Sequence, residues 1–464
     1  MKRFKSLIFT FLALTMIFLL SSCAPTGKEE ESTEAEKAYT ADELFELIDQ
    51  KMDSYDSYEA SVEMTMNVTM SDVEVNTTAT GVEIRRGIVT DNYEFYTQLN
   101  TVVNSPALKL PQKINNIEAY FDGNYYIYDS NAGRKIYSAM SKEDAKEYAE
   151  KDATELSVFG DCVNKELKKN DDGTYELTFS GYTAEAIADI LEKTSIDSSE
   201  LSHEVADVRF RIKANENLSV SEIEFSFEFE QSDSGEKLPE ISVKMIYSKF
   251  DSAEIDPSLI EIEKYTHIGS FKVLFEIEDL LKARWEKEEG EFTLNVSQVV
   301  KLAGNSQENS ETDKVVYGTN EYGYYYDIDA DMNGTKYDIS YTQGVQTVSS
   351  NGETKQAPQS EQEAREFVQS LVNSCQFSTA YVTNIKKISS DRYKFTLVPQ
   401  RIYAPLIRQM GGEYKDVTQS VTVTIKDGEI VKIESEAIAT GVVTSGNSFY
   451  TMTFTVTSNA EFDK

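Results

Sequence analysis

Histidine is almost absent from this chain: His203 and His267 are the only two in 464 residues, far apart and without HExxH spacing. That argues against a histidine-held zinc site and against a histidine-dependent catalytic triad. Cysteine is nearly as scarce, with only Cys23, Cys162 and Cys375 and no CxxC pair. No GxSxG elbow and no phosphate-binding glycine loop occurs. The expectation is a non-enzyme that uses no metal and no cofactor. Paired carboxylates discriminate nothing, because acids are so common here that chance supplies pairs. Basic residues are few, 45 against 80 acids, for a formal charge of -35. A surface of that sign repels nucleic acid and anionic lipid headgroups, so neither is expected to partner it. Solubility in a crowded envelope accounts for the acidity more simply than a specific cation-binding role.

Long apolar runs are also missing, except for Leu7 to Leu20, interrupted by Thr10 and Thr15. A comfortable membrane span needs roughly 20 residues, so this run suits the apolar part of a signal peptide instead. Lys2, Arg3 and Lys5 precede it and Leu20-Ser21-Ser22-Cys23 follows. A basic start, an apolar run, small residues and then cysteine resemble the bacterial lipobox. The resemblance implies a signal peptide over residues 1–22, a cut before Cys23, and lipid attached through the Cys23 thiol. The alternative is an ordinary signal peptide ending near a cysteine. Each buried methylene contributes about 0.8 kcal/mol, so two or three acyl chains would hold the protein firmly to a membrane. Loss of three basic residues leaves the mature chain at about -38. Residues 23–39 contain no large aliphatic side chain and many acids, which favours a disordered acidic tether. The expected location is the outer face of the cytoplasmic membrane, lipid-anchored and extracytoplasmic. A wall-covered outer leaflet suits the acidic composition better than a periplasm.

The length is about three times the prior for one domain. An aromatic content of 11% favours β structure. An internal repeat divides the remainder. Leu44-Phe45-Glu46-Leu47 matches Leu274-Phe275-Glu276-Ile277 at an offset of 230, and Gly123 matches Gly344 at 221. Ser141-Lys142-Glu143-Asp144-Ala145 matches Ser360-Glu361-Gln362-Glu363-Ala364 at 219, and Tyr175–Phe179 matches Tyr393–Leu397 at 218. Each match is short; their common order and steadily shrinking offset make the case. Chance likeness between two β-rich domains is the competing account. The expected domains are 40–265 and 266–464, since Asp256-Pro257 breaks the last strand of the first copy.

Within the first copy, Thr40 and Glu43 form a capping-box pattern before a helix striped by Leu44, Leu47, Ile48 and Met52. The first strand sets Ala60, Val62, Met64, Met66, Val68 and Met70 on one face and polar residues on the other. That pattern belongs to a sheet covered on one side only. Helices are expected near Ser141 and from about Thr183 to Lys193. Closing strands carry Val208, Phe210 and Ile212; Ile223, Phe225, Phe227 and Phe229; and Val243, Met245 and Tyr247. The second copy closes through Val421, Val423 and Ile425, an Asp427-Gly428 turn, and a final strand with Tyr450, Met452, Phe454 and Val456. Asp329, Asp331, Asn333 and Gly334 fit the first half of a calcium loop, but Ser340 stands where its closing Glu should be. Asn333-Gly334 between alternating strands is better read as a hairpin turn.

A lipobox, a tether, a leading helix, long one-faced strands and helices inserted mid-sheet resemble the LolA/LolB-like lipoprotein carriers and the related LprG/LppX lipoproteins. The resemblance implies an α+β fold of two tandem antiparallel half-barrel domains, with helices packed on each concave face around a cavity that receives acyl chains. It supplies no catalytic residues. Met64, Met66 and Met70 are the candidate wall of such a cavity, because methionine is deformable; ordinary core packing is the alternative for the same three. The functional expectation is a membrane-anchored lipoprotein binding a lipid or other hydrophobic envelope molecule without catalysis. The alternative is a non-catalytic surface lipoprotein with solid cores and protein or cell-wall partners. Cys162 and Cys375 are expected as buried thiols.

Overall fold

The computed structural model describes residues 39–463, except 71–72, 91, 107, 109, 152–161, 194–202, 231–237, 375–376 and 446–447. The signal peptide, Cys23, the tether up to residue 38 and Cys375 lie outside the described residues. The chain divides into two units, one comprising Ala139–Tyr265 and the chain up to Lys135, the other Ile136–Ser138 and Thr266–Lys464.

The first unit opens where Thr40 and Glu43 cap each other: the Glu43 N–H donates to Thr40 Oγ1 at 3.2 Å, and the Thr40 N–H donates to Glu43 Oε2 at 2.9 Å. Two donors that helix geometry would leave unpaired are thereby satisfied. Helix α1 (Ala41–Asp53) buries Leu44 and Ile48. Six strands follow as a meander: β1 (Ser57–Met70), β2 (Val73–Arg86), β3 (Glu94–Asn104), β4 (Gln112–Phe121), β5 (Asn124–Asp129) and β6 (Arg134–Ala139). Helix α2 (Lys142–Lys151) precedes β7 (Cys162–Lys169) and β8 (Tyr175–Tyr182); α3 (Ala184–Lys193) precedes β9 (Val205–Ala214), β10 (Val220–Phe229) and β11 (Glu240–Ser248). The strand order is β6-β5-β4-β3-β2-β1-β11-β10-β9-β8-β7, and the two-residue β12 (Thr266–His267) falls in the second unit.

The second unit repeats this plan. Helix α4 (Phe271–Trp285) leads into β13 (Gly290–Leu302), β14 (Asn305–Asn320), β15 (Gly323–Met332), β16 (Thr335–Thr342), β17 (Val345–Ser350) and β18 (Glu353–Pro358). Helix α5 (Glu361–Ser374) precedes β19 (Val382–Ser389) and β20 (Arg392–Leu397); α6 (Gln400–Gln409) precedes β21 (Glu413–Lys426), β22 (Glu429–Ser445) and β23 (Ser448–Phe462). Its order is β18-β17-β16-β15-β14-β13-β23-β22-β21-β20-β19. In the first sheet β1 pairs with β11 and in the second β13 pairs with β23, each at the middle of the sheet. The four sequence matches fall on corresponding elements: α1 and α4, the β4–β5 and β16–β17 turns, the starts of α2 and α5, and β8 and β20.

Tight turns set the registers. Asp122, Asn333 and Asp427 have φ of 50°, 53° and 54°, each followed by a glycine at positive φ. Two positive φ values in sequence give the turn whose twist suits a two-residue hairpin. Asn333-Gly334 joins β15 to β16 with Met332 opposite Thr335. Asn333 Oδ1 accepts from the Ser310 N–H at 2.7 Å and Asp331 Oδ1 from the Gly334 N–H at 2.8 Å. These carboxylate and amide oxygens hold the turn. Among the described residues, no group of three or more His, Cys, Asp or Glu is placed to hold a metal ion.

Candidate functional site: the inward face of each sheet

In the first unit the apolar half of the inward face lies on β1 and β8–β11. Strand alternation turns Val62, Met64, Met66 and Val68 inward, where the register sets Val62 opposite Met245, Met64 opposite Val243 and Met66 opposite Ile241. Ile223, Phe225 and Phe227 continue the surface on β10, and Val208, Phe210 and Ile212 on β9. Helices α1 and α3 pack on it through Leu44, Ile48, Ile187, Ile190 and Leu191. The Phe45 ring meets Phe179 edge-on at 5.6 Å. Met64 and Met66 are 4% and 2% exposed and sit together in this continuous cluster, with Met245 as a third methionine. Met70 closes β1 opposite Val73; its side chain is outside the described set. Cys162, on β7, is buried in the same cluster, and burial pushes its thiol pKa up.

The other half, on β2 to β5, is mixed: Val75, Ala79, Leu99 and Val103 continue the apolar cluster, and polar side chains stand between and beyond them. Register sets one inward row as Ala60, Glu83, Thr97 and Glu118, and the next as Leu99, Asn116 and Asp129. Glu83 and Arg85 are each 1% exposed and joined at 2.8 Å between Oε1 and Nε. The Tyr58 hydroxyl donates to the same Glu83 oxygen at 2.7 Å, and Arg85 donates to the Tyr93 hydroxyl at 2.8 Å. Burial acts to lower the Arg85 pKa, but Glu83, Tyr93 and Tyr58 outweigh it and hold the guanidinium well above its ordinary value. Burial and the Glu83 charge push the Tyr58 hydroxyl far up as well. Several polar atoms on this half have no hydrogen-bond partner among the described residues: Glu83 Oε2, Asn116 Oδ1, Asp129 Oδ2, and the hydroxyls of Thr77 and Thr101. A buried polar atom without a partner costs about 1–3 kcal/mol. Three are acceptor-only oxygens and two are hydroxyls that can donate or accept, and a bound polar group or water can supply their partners. Sequence reasoning, which took the inward faces as apolar, missed this half.

The second unit carries a smaller version. Asp313, on β14, is 2% exposed and its cross-strand neighbours are Leu294 and Ala330. Neither carboxylate oxygen has a partner among the described residues. Burial, with a smaller contribution from Glu311, pushes its pKa up to about 6. The Tyr326 hydroxyl lies between Gln346 Nε2 at 2.7 Å and Gln359 Oε1 at 3.1 Å. Arg284, on α4, is 7% exposed with its guanidinium 4.4 Å above the Phe462 ring. Burial lowers its pKa.

Two clefts complete the description. One of about 440 Å³ is bounded by Leu281, Lys282 and Glu278 of α4, by Gln369 of α5, and by Phe377 and Thr379. The other, about 410 Å³, lies on the outward face of β7–β10, between Glu166, Glu176, Arg209, Arg211 and Glu224. Beside it, Glu222 is bridged by Lys213 at 2.8 Å, Lys244 at 2.9 Å and Arg211 at 3.1 Å. His203 is buried and His267 exposed, in different units. Among the described residues no helix is long and apolar enough to cross a membrane.

No protein-family model matches the chain, and no curated protein matches it. Solved structures give weak likenesses. LprF from Mycobacterium bovis is 11% identical, with a TM-score of 0.26 over 47% of this chain and 95% of that one. An outer membrane lipoprotein-sorting protein domain from Vibrio parahaemolyticus is 12% identical, with a TM-score of 0.16 over 41% and 90%. A DUF1329 family protein from Desulfovibrio piger is 13% identical, with a TM-score of 0.17 over 41% and 92%. At TM-scores this low none of them establishes a shared fold or ligand.

Proposed function

We propose that the chain is a lipoprotein anchored through Cys23 at the outer face of a membrane, built from two LolA-like domains, and that it binds an amphiphilic envelope lipid without changing it chemically. One observation carries the reading. The inward face of the first sheet is apolar around Met64, Met66 and Met245 and polar around Glu83, Asn116 and Asp129, with acceptor atoms left unpartnered. That division complements a molecule with an acyl part and a hydroxyl- or amine-bearing part: methionines adapt to flexible chains, and buried acceptors gain most from a donor in a low-dielectric site. The matching strand orders support the tandem reading. The scarcity of histidine and the lack of catalytic motifs support binding over chemistry.

The test is mass spectrometry of lipid extracts from protein purified from its host. The expected result is a co-purifying amphiphile whose amount falls in Met66→Phe while the melting transition is kept. Protein that carries no lipid overturns the proposal.

A second reading has its own support. Met64 and Met66 lie in a continuous packed cluster, as a solid-cored surface lipoprotein with protein or cell-wall partners would have them. Absence of co-purifying lipid, with Met66→Phe lowering the melting transition as overpacking of a filled core would, favours that reading.

A further inference from the structure

One end of the second unit departs from the electrostatics of the rest of the chain. No charged residue occurs from Ala437 to Ala460, the longest uncharged stretch in a sequence that is 27% charged. It forms most of the β22–β23 hairpin. Helix α6 lies against this hairpin and carries Arg401 and Arg408 but no acid. Tyr403 and Ile407 turn inward and pack with Val417, Ala439 and Met452. Ile402, Leu406 and Met410, spaced i, i+4 and i+8, remain 42%, 38% and 37% exposed. The apolar stripe is thus wider than its packing uses.

The hairpin extends this surface. Glu413, at the start of β21, pairs with Val442, and beyond that point β22 and β23 continue without β21 to Ser445 and Ser448. There Tyr450 is 39% exposed and Phe449 75%. The acids nearest α6 in sequence are Glu413 and Asp416, and Glu413, itself exposed, is 3.1 Å from Lys415.

A chain of charge -35 is repelled as a whole by an anionic surface, but that repulsion is screened beyond about 8 Å in physiological salt. Only groups within that distance of a surface decide whether it can dock. This end brings apolar side chains, an uncharged hairpin, two arginines and the mutually paired Lys415 and Glu413. A helix with exposed apolar residues and arginines lies naturally in the plane of a bilayer interface, and aromatic side chains settle at headgroup depth.

We infer that this end of the second unit docks on a lipid bilayer, with Phe449, Tyr450 and the Ile402–Leu406–Met410 stripe entering the headgroup layer and Arg401 and Arg408 meeting lipid phosphates. It reverses locally the expectation from net charge that anionic lipid is no partner of this surface. It does not depend on any lipid being carried inside the domains.

The experiment is vesicle flotation with the chain from residue 24, which keeps every described element and lacks the apolar N-terminal run. Phosphatidylcholine vesicles are compared with 3:1 phosphatidylcholine:phosphatidylglycerol. The parent floats with the mixed vesicles, and Arg401→Gln with Arg408→Gln lowers that partition about tenfold. Phe449→Asp abolishes flotation with an unchanged melting transition; Phe449→Ser, milder at so exposed a tip, weakens it. A parent that stays with the soluble fraction overturns the proposal, as does undiminished flotation of both Phe449 variants. A concentration-dependent dimer that Phe449→Asp dissolves, without vesicle binding, also overturns it and makes the patch a self-interface. Flotation by protein free of bound lipid sinks the carrier reading alone.

Discussion

Glu83 and Arg85 stand two residues apart on β2, point to the same side, and share a 2.8 Å ion pair in which both side chains are 1% exposed. The Tyr58 hydroxyl donates to the same Glu83 oxygen and Arg85 donates to the Tyr93 hydroxyl, while Glu83 Oε2 has no partner among the described residues. Removing one partner leaves a buried charge uncompensated, so Glu83→Gln or Arg85→Met alone should cost about 3–5 kcal/mol. The pair Glu83→Gln with Arg85→Met should cost clearly less than the sum of the two. Urea denaturation of the four proteins measures the cycle; additive losses would mean that the two side chains act separately.

Asp313 makes stability depend on pH. Its carboxyl titrates at about 6 in the folded chain, above its ordinary value, so the folded state holds the proton more tightly than the unfolded state does. The folded state is therefore most favoured below the ordinary carboxylate pKa and loses about 3 kcal/mol as pH rises from roughly 4 through 6. Asp313→Asn should remove most of that slope and stabilise the protein at pH 8 by about 1–2 kcal/mol. Melting temperatures of the two proteins from pH 4 to 8 supply the check, and parallel curves would refute it.

Glu222 behaves in the opposite sense. Burial acts to raise its pKa, but hydrogen bonds and charges from Lys213 and Lys244 outweigh it and hold the carboxyl below its ordinary value. Its contribution is present above the ordinary pKa and lost as pH falls through the depressed one. Glu222→Gln should cost about 1–3 kcal/mol at pH 7 and almost nothing at pH 2. Acid titration of unfolding in both proteins tests this.

Gly441 lets α6 sit close to β22. A Cβ there would lie 2.5 Å from Ile407 Cγ2 and 3.0 Å from the Glu413 carbonyl oxygen. Gly441→Ala should therefore lift the helix and cost about 1–3 kcal/mol. Hydrogen exchange should rise in residues 400–410 before it rises elsewhere in the second unit. Unchanged exchange there would show that the helix has slack.

The sequence reveals some of this plainly and hides the rest for a physical reason. On β1 and β9–β11, one face is wet and the other dry, so a period of two survives in the residues themselves. On β2 the pattern misleads. Val82 and Ile84 are apolar yet turn away from the inward face, while Glu83 and Arg85 turn toward it. Hydrophobicity alone would place that stretch the wrong way round. Opposite charges at i and i+2 on a strand were the available signal, but acids are too frequent here for one such pair to stand out. Met64 and Met66 were legible as inward residues; their neighbour Met245, about 180 positions on, becomes their neighbour only through the pairing of β1 with β11. Tyr450 reads as an ordinary strand aromatic, since the point where β21 stops short of it is a matter of register.

Because β13 is zipped to β23, the last segment of the second unit to leave the ribosome belongs at the middle of its sheet. A chain stopped before Ser448 would lose a central partner and leave β13 and β22 with bare edges, an invitation to aggregate. Loop closure across the whole unit must come before its two half-sheets can cooperate, which makes folding slow and close to all-or-none. Until β23 is made, β13 and β22 have no shared partner and the unit stays open at its centre.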